Sequence, residues 1–304
     1  MKIAIIGAGA MGCLYGAKLS LAPENKIFLI NRWKEHVDAL NAHGLLIESG
    51  GEFTKYENFT ASTDVSGVGY ADLAIICVKS TSTKQAMEEH IGVFGPDTAV
   101  LTLQNGLGNV ELISEVIGSK NVIAGITAQG STVLGPGKVR HAGVGKSVIG
   151  ELDGNRTKRI ENVCEMFNKA DLETSISDDI MSVIWSKLMV NVGINALSGI
   201  TKLHNGELLE HPEIAELLEL AVTEGAAVAR AKGIKLEFDD PVSRAKDVCV
   251  ATAKNKSSML QDILKKKKTE IDMINGAIVR EGGKLGISTP VNLALMNLIK
   301  FIEK

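Results

Sequence analysis

In the first twelve residues an apolar run leads into three closely spaced glycines, a combination that few folds contain. The run Lys2–Ile6 has the composition of a buried strand, and Ala10–Leu21 has the amphipathic pattern of a helix. In a strand, turn and helix of this kind, the first glycine permits the tight turn and the second lets backbone approach a pyrophosphate. The third lets helix and strand pack closely, and the helix N-terminus faces the anion. The pattern favours a dinucleotide site over a plain strand-to-helix turn, with the contacts Gly7, Ala8, Gly9, Ala10, Met11 and Gly12.

The rest of the first half alternates apolar runs with helical patterns, which predicts a parallel sheet buried on both faces. The further strands are expected at Lys26–Ile30, Leu73–Val78, Ala99–Leu103 and Val122–Ile126, and the helices at Lys34–His43, Thr81–Ile91 and Asn109–Ile117. Residues 129–149 are rich in Gly and Val and predict hairpin strands, followed by a helix over 156–170 and a strand over 173–176.

Strand patterns end at Asp178, and helical patterns follow over residues 179–198, 212–232, 241–254 and 269–285. A chain of 304 residues suggests about two domains. We therefore predict an α/β Rossmann-like dinucleotide-binding domain over residues 1–177 and an all-α domain over 178–304.

Composition narrows the class of protein. A formal net charge of -3 argues against nucleic acid or an anionic membrane as the main partner. The four cysteines are far apart and form no CxxC pair, so we expect no zinc site and no disulfide framework, as in a reducing cytosol. The N-terminal run is too short for a signal peptide, and no run of about 18 apolar residues occurs, so a cytoplasmic location is expected.

The end of the second predicted strand bears on the choice of cofactor. A carboxylate at this point would bind the ribose 2′-hydroxyl of NAD, but this chain has Asn31 followed by Arg32. A neutral amide tolerates a 2′-phosphate, and a guanidinium can bind one, so NADPH is predicted. The alternative is that Arg32 is only an exposed loop residue. Lys79 and Asn105 also follow strands at the edge where such sheets bind ligands.

A polar stripe marks the first helical segment of the second half. Lys187, Asn191 and Asn195 recur every four residues in an otherwise apolar helix, so they share one face. Burying these groups without partners would cost several kcal/mol, so we interpret the stripe as the lining of a cavity. A hydrogen-bonded seam between helices is the alternative.

A second polar cluster contains Ser258, and Glu270 follows it. On one straight helix these two residues would lie about 18 Å apart, too far to share a small substrate. Thr269 is a good N-cap, with Asp272 at the third helical position, so we predict that a new helix begins there after a break at Lys265–Lys268. The break would bring Glu270 back toward the site.

Taken together, these segments resemble the ketopantoate reductase (2-dehydropantoate 2-reductase) family over nearly the whole chain. The resemblance rests on GAGAMG, Asn105-Gly106, WSKLMVNVGINALSGIT (185–201), Asn205-Gly206-Glu207, SSMLQDI (257–263) and TEIDMINGAIV (269–279). It implies NADPH-dependent reduction of 2-dehydropantoate to (R)-pantoate, with residues 178–304 as the helical substrate-binding domain. Cofactor and substrate would then lie in a cleft between the two domains. The chain departs from the family at Lys266–Lys268, where many members have a turn resembling Gly-Arg-Pro.

The resemblance also implies roles for individual residues. Lys187 matches the general acid, and Glu270 matches an acidic residue that reaches cofactor and substrate. The implied substrate contacts are Asn105, Lys187, Asn191, Asn195, Asn205 and Ser258, and the implied cofactor contacts outside the glycine-rich turn are Arg32, Lys79, Asn105 and Glu270. No metal is expected, and the protein is expected to be a monomer or homodimer. Two alternatives stay open, a reductase of another branched 2-keto acid and a non-catalytic NADPH-binding regulator.

Overall fold

The computed structural model describes residues 1–304. Its chain divides into two compact units. Unit 1 contains Met1–Gln104 and Asn109–Ile180, and unit 2 contains Asn105–Gly108 and Met181–Lys304. A four-residue segment at the end of one strand therefore belongs to the second unit, an arrangement that the sequence did not indicate.

Unit 1 contains twelve strands and five α-helices. The strands are β1 (Lys2–Ile6), β2 (Lys26–Ile30), β3 (Leu45–Ser49), β4 (Glu52–Tyr56), β5 (Thr60–Ser62), β6 (Leu73–Ile76), β7 (Ala99–Thr102), β8 (Val122–Thr127), β9 (Gly130–Gly135), β10 (Lys138–Gly143), β11 (Ser147–Glu151) and β12 (Thr174–Ile176). The helices are α1 (Ala10–Leu19), α2 (Lys34–His43), α3 (Thr83–Glu89), α4 (Asn109–Ile117) and α5 (Lys158–Lys169).

The main sheet has eight strands in the order β12-β11-β8-β7-β6-β1-β2-β5. All neighbours are parallel except β8 and β11, which are antiparallel. The expected Rossmann-like α/β unit is confirmed. Alternate residues of β1 enter different cores, with Ile3 and Ile5 on one face and Ala4 and Ile6 on the other. This two-sided burial explains why the strand is apolar throughout.

A second sheet, in the order β4-β3-β10-β9, contains strands that the sequence analysis missed. We predicted neither β3 and β4 nor the short strand β5. Most side chains of β4 are exposed, so it lacks the alternation that signals a half-buried strand. Only its pairing with β3 makes it a strand.

The parallel strands β7, β6, β1 and β2 are neighbours, so the segments after their carboxyl ends lie along one edge of the sheet. Those segments contain Gln104, Lys79, the glycine-rich turn and Arg32, respectively. Open α/β sheets bind ligands at this edge.

Unit 2 is helical, as predicted. Its helices are α6 (Ile180–Thr201), whose first residue belongs to unit 1, α7 (Pro212–Ala231), α8 (Pro241–Ala251), α9 (Ser258–Leu264), α10 (Asn275–Lys284) and α11 (Pro290–Ile302). Helix α6 has the length and apolar composition of a membrane-crossing helix, although 78% of its most apolar window is buried, as in the core helix of a soluble protein. Isolated Ser, Lys and Asn residues hid this helix from a search for an unbroken apolar run.

The predicted helix start at Thr269 is wrong. The Thr269 hydroxyl accepts a hydrogen bond from the Ile271 N–H, but the helical turn there is a single 3₁₀ turn, Ile271–Met273. Ile274, with φ −109° and ψ −96°, interrupts the helical path, and α10 begins only at Asn275. The predicted break at the lysine run is confirmed, because α9 ends at Leu264.

Candidate active site

The geometry of the glycine-rich turn accounts for each of its glycines. Gly7 has φ +94°, and a Cβ atom there would lie 2.5 Å from the Val78 backbone nitrogen. A Cβ at Gly12 would collide with the Gly7 carbonyl oxygen, so helix and turn could not approach as they do. At Gly9 nothing lies within 4 Å of the Cβ position. The first and third glycines are therefore required by the fold, whereas the second leaves open space for a ligand.

The start of α1 supplies the donors for such a ligand. Gly9 is the N-cap and offers no side-chain cap, and the Cys13 N–H makes a hydrogen bond of 2.9 Å to the Gly9 carbonyl. The amides of Ala10, Met11 and Gly12 precede that bond, so they have no acceptor within the helix. A phosphate at this helix end would find backbone donors and a favourable helix dipole.

The Asn31 side chain links two turns of unit 1 through hydrogen bonds. Its Nδ2 donates to the Ala8 carbonyl at 2.7 Å, and its Oδ1 accepts from the Trp33 N–H at 2.9 Å. Arg32 and Lys79 are both exposed, after β2 and β6. The residue that bears on the choice between NAD and NADP is thus neutral and hydrogen-bonded to the backbone, and the next residue in the chain carries a guanidinium group.

In unit 2, Lys187 lies within reach of groups from two distant segments. Its Nζ donates a hydrogen bond of 2.9 Å to Asn105 Oδ1. Burial lowers the pKa of Lys187 to about 8, and the Glu270 carboxylate partly opposes this shift. Glu270 is itself buried. The structure therefore brings together a lysine, an amide and a carboxylate, which we call the Lys187 cluster (Lys187, Asn105 and Glu270). More than 80 residues of sequence separate Lys187 from each of the other two.

The turn that carries Asn105 is held against the segment after Glu270. The Leu107 N–H donates to the Met273 carbonyl at 2.8 Å. Gly106 has φ +84°, and a Cβ there would overlap the same carbonyl. The sequence analysis missed Met273, since it contributes only a backbone oxygen and leaves no signal in a residue pattern.

The other members of the polar stripe differ in their surroundings. Asn195 is buried, and its Nδ2 donates to Ser258 Oγ at 3.5 Å. Asn191 is partly exposed, and its side chain makes no hydrogen bond within the protein. The contact at Asn195 is of the kind that a seam between helices would make, whereas Asn191 is placed as a lining residue would be.

Asn205 is positioned by the segment that leads to α9. Its Nδ2 donates to Thr252 Oγ1 at 2.8 Å, and its backbone N–H donates to the Asn255 carbonyl at 3.0 Å. Its Oδ1 is buried and has no hydrogen-bond partner. Such an orphan acceptor is costly unless a ligand or water satisfies it. The structure shows no bond from Asn205 to the Lys187 cluster, and no group of three or more His, Cys, Asp or Glu residues is arranged to hold a metal.

Comparison with known proteins identifies the family. Residues 3–154 match the family described as ketopantoate reductase PanE/ApbA, and residues 179–303 match its C-terminal part. The chain is 39% identical to the 2-dehydropantoate 2-reductase of Pyrococcus abyssi over 99% of this chain and 97% of the relative. It is 35% identical to that of Halobacterium salinarum over 100% and 99%.

Solved structures give the same result for the fold. A PanE/ApbA family ketopantoate reductase from Ralstonia eutropha superimposes with a TM-score of 0.92 at 37% identity, covering 100% of this chain and 98% of that one. A D-mandelate dehydrogenase with NADH and anilino(oxo)acetate superimposes with a TM-score of 0.93 at 29% identity, with the same coverage. The glycine-rich turn, the helical second unit and these matches together lead to one conclusion: the chain is an oxidoreductase that belongs to the ketopantoate reductase family.

Proposed function

We propose that this oxidoreductase uses NADPH to reduce 2-dehydropantoate to (R)-pantoate, a step of pantothenate and coenzyme A synthesis, with Lys187 as the general acid. The observation that carries the proposal is the position of the Lys187 ammonium. It donates to Asn105 at 2.9 Å, and burial lowers its pKa to about 8 beside the Glu270 carboxylate. Buried amines with such pKa values are typical of groups that transfer protons near neutral pH.

The dinucleotide contacts are proposed from unit 1. The open space at Gly9 and the amides that begin α1 suit a pyrophosphate. Neutral Asn31 would not repel a 2′-phosphate, and exposed Arg32 would bind it with a planar pair of donors. Lys79, at the same sheet edge, adds a second positive charge.

When bound, the nicotinamide supplies the hydride that reduces the 2-keto carbon. The side chains act on the oxygen of that carbonyl, where negative charge develops. The Lys187 ammonium would stabilise this charge and then donate the proton to it. Asn105 holds the ammonium in place through Oδ1, and the Glu270 carboxylate favours its charged form until the proton leaves.

The proposed substrate contacts are neutral. Asn191 presents an amide without an internal partner, and Asn205 presents a buried oxygen without one. Asn195 and Ser258 form a weak pair that a ligand could replace. Amides and hydroxyls donate hydrogen bonds to a carboxylate and accept them from a hydroxyl. 2-Dehydropantoate carries both a carboxylate and a hydroxyl group.

A second candidate is reduction of a different 2-keto acid with NADH. The similarity to a D-mandelate dehydrogenase with NADH and anilino(oxo)acetate favours it. That substrate class would need an apolar wall for a bulky group, and would have less use for the amides in unit 2.

The test is a steady-state assay of the purified protein, following nicotinamide absorbance. NADPH and NADH are each combined with 2-dehydropantoate, with a 2-keto acid that lacks the hydroxyl group, and with benzoylformate. The proposal expects the highest kcat/KM for NADPH with 2-dehydropantoate. A higher value for benzoylformate or for NADH would replace it with the second candidate, and turnover of no keto acid would leave a dinucleotide-binding regulator.

A further inference from the structure

A buried histidine lies behind the glycine-rich turn and takes no part in the chemistry described above. His36, in the first turn of α2, has no exposed surface. Its Nδ1 accepts a hydrogen bond of 3.1 Å from the Gly137 N–H, in the turn between β9 and β10. Because Nδ1 is an acceptor, the neutral ring carries its proton on Nε2.

The Nε2 side of the ring lies against the Cys13 thiol, with 3.4 Å between His36 Nε2 and Cys13 Sγ, so the ring N–H can donate to the sulfur. The Cys13 thiol in turn donates to the carbonyl of Ala8, in the glycine-rich turn, at 3.3 Å. The same carbonyl accepts from the Asn31 amide at 2.7 Å. Two donors therefore hold one backbone oxygen, and His36 contacts one of them.

This carbonyl needs such restraint because the next residue provides none. Gly9 has no side chain, no neighbour within 4 Å of its Cβ position and no capping group. The peptide that leads into α1 is thus fixed by hydrogen bonds and not by packing. The direction of that peptide decides where the first amides of α1 point.

We propose that His36 is a positioning residue for the dinucleotide: it orients the Cys13 thiol, which holds the Ala8 carbonyl, and through it the amide donors of α1, in the binding geometry. The proposal rests on the proposed function, because it takes the glycine-rich turn as the cofactor site. It also gives the second sheet a role in binding. Gly137, with φ +65°, lies close against α2, because a Cβ atom added at this position would lie 3.3 Å from the Ala39 Cβ.

Protonation would disrupt this arrangement. An imidazolium carries hydrogens on both nitrogens, so its Nδ1–H would face the Gly137 N–H and that bond would be lost. Burial lowers the pKa of His36, so the neutral form persists to a pH below the ordinary range of histidine. The facing titratable groups are the thiols of Cys13 and, beyond it, Cys77, and burial raises the pKa of both.

The charged residues nearest in sequence on the two elements that bind the ring are Lys34, Glu35 and Lys138, and all three are exposed. No carboxylate is therefore placed to favour the imidazolium, and cofactor binding should weaken as pH falls through the lowered pKa of His36.

Two substitutions separate the two ring nitrogens. In His36→Gln the amide nitrogen can take the place of Nε2 and still donate to the Cys13 sulfur. In His36→Asn the side-chain oxygen can take the place of Nδ1 and accept from Gly137, but the side chain cannot reach Cys13. We expect the dissociation constant for NADP+ to rise roughly 3- to 10-fold in the Asn variant, the effect of one net hydrogen bond, and to stay near wild type in the Gln variant. At saturating NADPH both variants should keep the wild-type kcat.

The pH profile supplies a readout that a merely structural role would not change. The NADP+ dissociation constant of the wild type should rise more steeply at acid pH than that of His36→Gln, and comparing the two at each pH cancels the titration of the cofactor itself. Equal weakening in both variants, or identical pH profiles, would overturn the proposal. Failure of the wild type to bind either dinucleotide would instead refute the proposed function, and melting temperatures identify a variant that is only unfolded.

Discussion

The glycine-rich turn of unit 1 and the Lys187 cluster of unit 2 are built in opposite ways. The turn uses backbone conformation within six consecutive residues, and its donors are main-chain amides. The Lys187 cluster consists of side chains from distant parts of the chain. One of them, Asn105, lies in a loop that follows a strand of unit 1 but belongs to unit 2. A site made of backbone depends on local geometry, whereas a site made of side chains depends on tertiary packing.

This difference has consequences for mutation. Changes at a conformational glycine should damage folding and binding together, because the same backbone serves both. Changes to a side chain of the Lys187 cluster should remove chemistry while the fold persists. The predictions that follow test this separation.

The largest effect is expected for Lys187→Ala. A positioned general acid contributes about 10²- to 10⁴-fold to a rate, so kcat should fall by that factor. The dissociation constant for NADP+ should change little, because the proposed phosphate contacts belong to unit 1. Steady-state kinetics and a binding titration measure the two quantities. Lys235→Ala, at an exposed lysine of the same unit, is the matched control. Near-wild-type kcat in Lys187→Ala would exclude it as the acid.

Arg32→Ala tests whether a side chain also matters in the backbone-built site. Loss of charge-assisted hydrogen bonds to a 2′-phosphate should cost ~1.5–3 kcal/mol, or roughly 10- to 150-fold in NADPH affinity. Affinity for NADH should be unchanged, since it lacks that phosphate. Binding titrations with both cofactors decide the point, with exposed Lys34→Ala as control. Equal losses for both cofactors would contradict the assignment.

At saturating cofactor, the pH dependence of kcat/KM for the keto acid reports on the Lys187 cluster and not on cofactor binding. In the proposed mechanism reduction requires the Lys187 ammonium, whose pKa is lowered to about 8, so the forward rate should be level below that pH. Above it, each pH unit should reduce the rate roughly tenfold as the acid form is lost. Oxidation of pantoate requires the neutral amine and should rise over the same range. The observed pKa of Lys187 includes the influence of the nearby Glu270 carboxylate, which raises it. Parallel trends in both directions would count against the mechanism.

Two glycines of the same turn should respond differently to alanine. Gly9→Ala places a methyl group in open space, so the melting temperature should stay near wild type, while NADP+ affinity falls roughly tenfold, or ~1.4 kcal/mol. Gly7→Ala forces a side chain into a left-handed conformation, at about 1–2 kcal/mol, and against the Val78 backbone, so the melting temperature should fall. Thermal unfolding and binding titrations test both. A destabilised Gly9→Ala protein would show that this glycine too is required by the fold.

The smallest effects are expected at the two amides of α6. Asn191→Ala and Asn195→Ala should each raise KM for the keto acid roughly 3- to 10-fold, the effect of one lost hydrogen bond. Only Asn195→Ala should also lower the melting temperature, because Asn195 is buried and bonded to Ser258. If both variants lower the melting temperature with unchanged KM, the seam interpretation of this stripe is correct.

Sequence reasoning was most successful where structure is local. The order of strands and helices around the glycine-rich turn followed from periodicity, and β1, β2, α2 and α4 have the predicted bounds. It failed where structure depends on a partner. Strand β4 exists because it pairs with β3. The helix expected from Thr269 is replaced by a 3₁₀ turn, after which the backbone conformation of Ile274 interrupts the helical path. Helices α9 and α11 were also missed.

For the candidate site, the chemical groups that are present follow from the residue order alone. The glycine spacing, the neutral Asn31 before Arg32 and the polar stripe on an apolar helix are properties of consecutive residues, and their physical meaning follows from backbone geometry. The placement of these groups depends on the folded chain. Asn105 follows a strand of unit 1 but belongs to unit 2, the Met273 carbonyl binds its loop, and Glu270 lies close enough to affect the pKa of Lys187. Such contacts join residues far apart in the chain, and burial and electrostatics depend on distance in space.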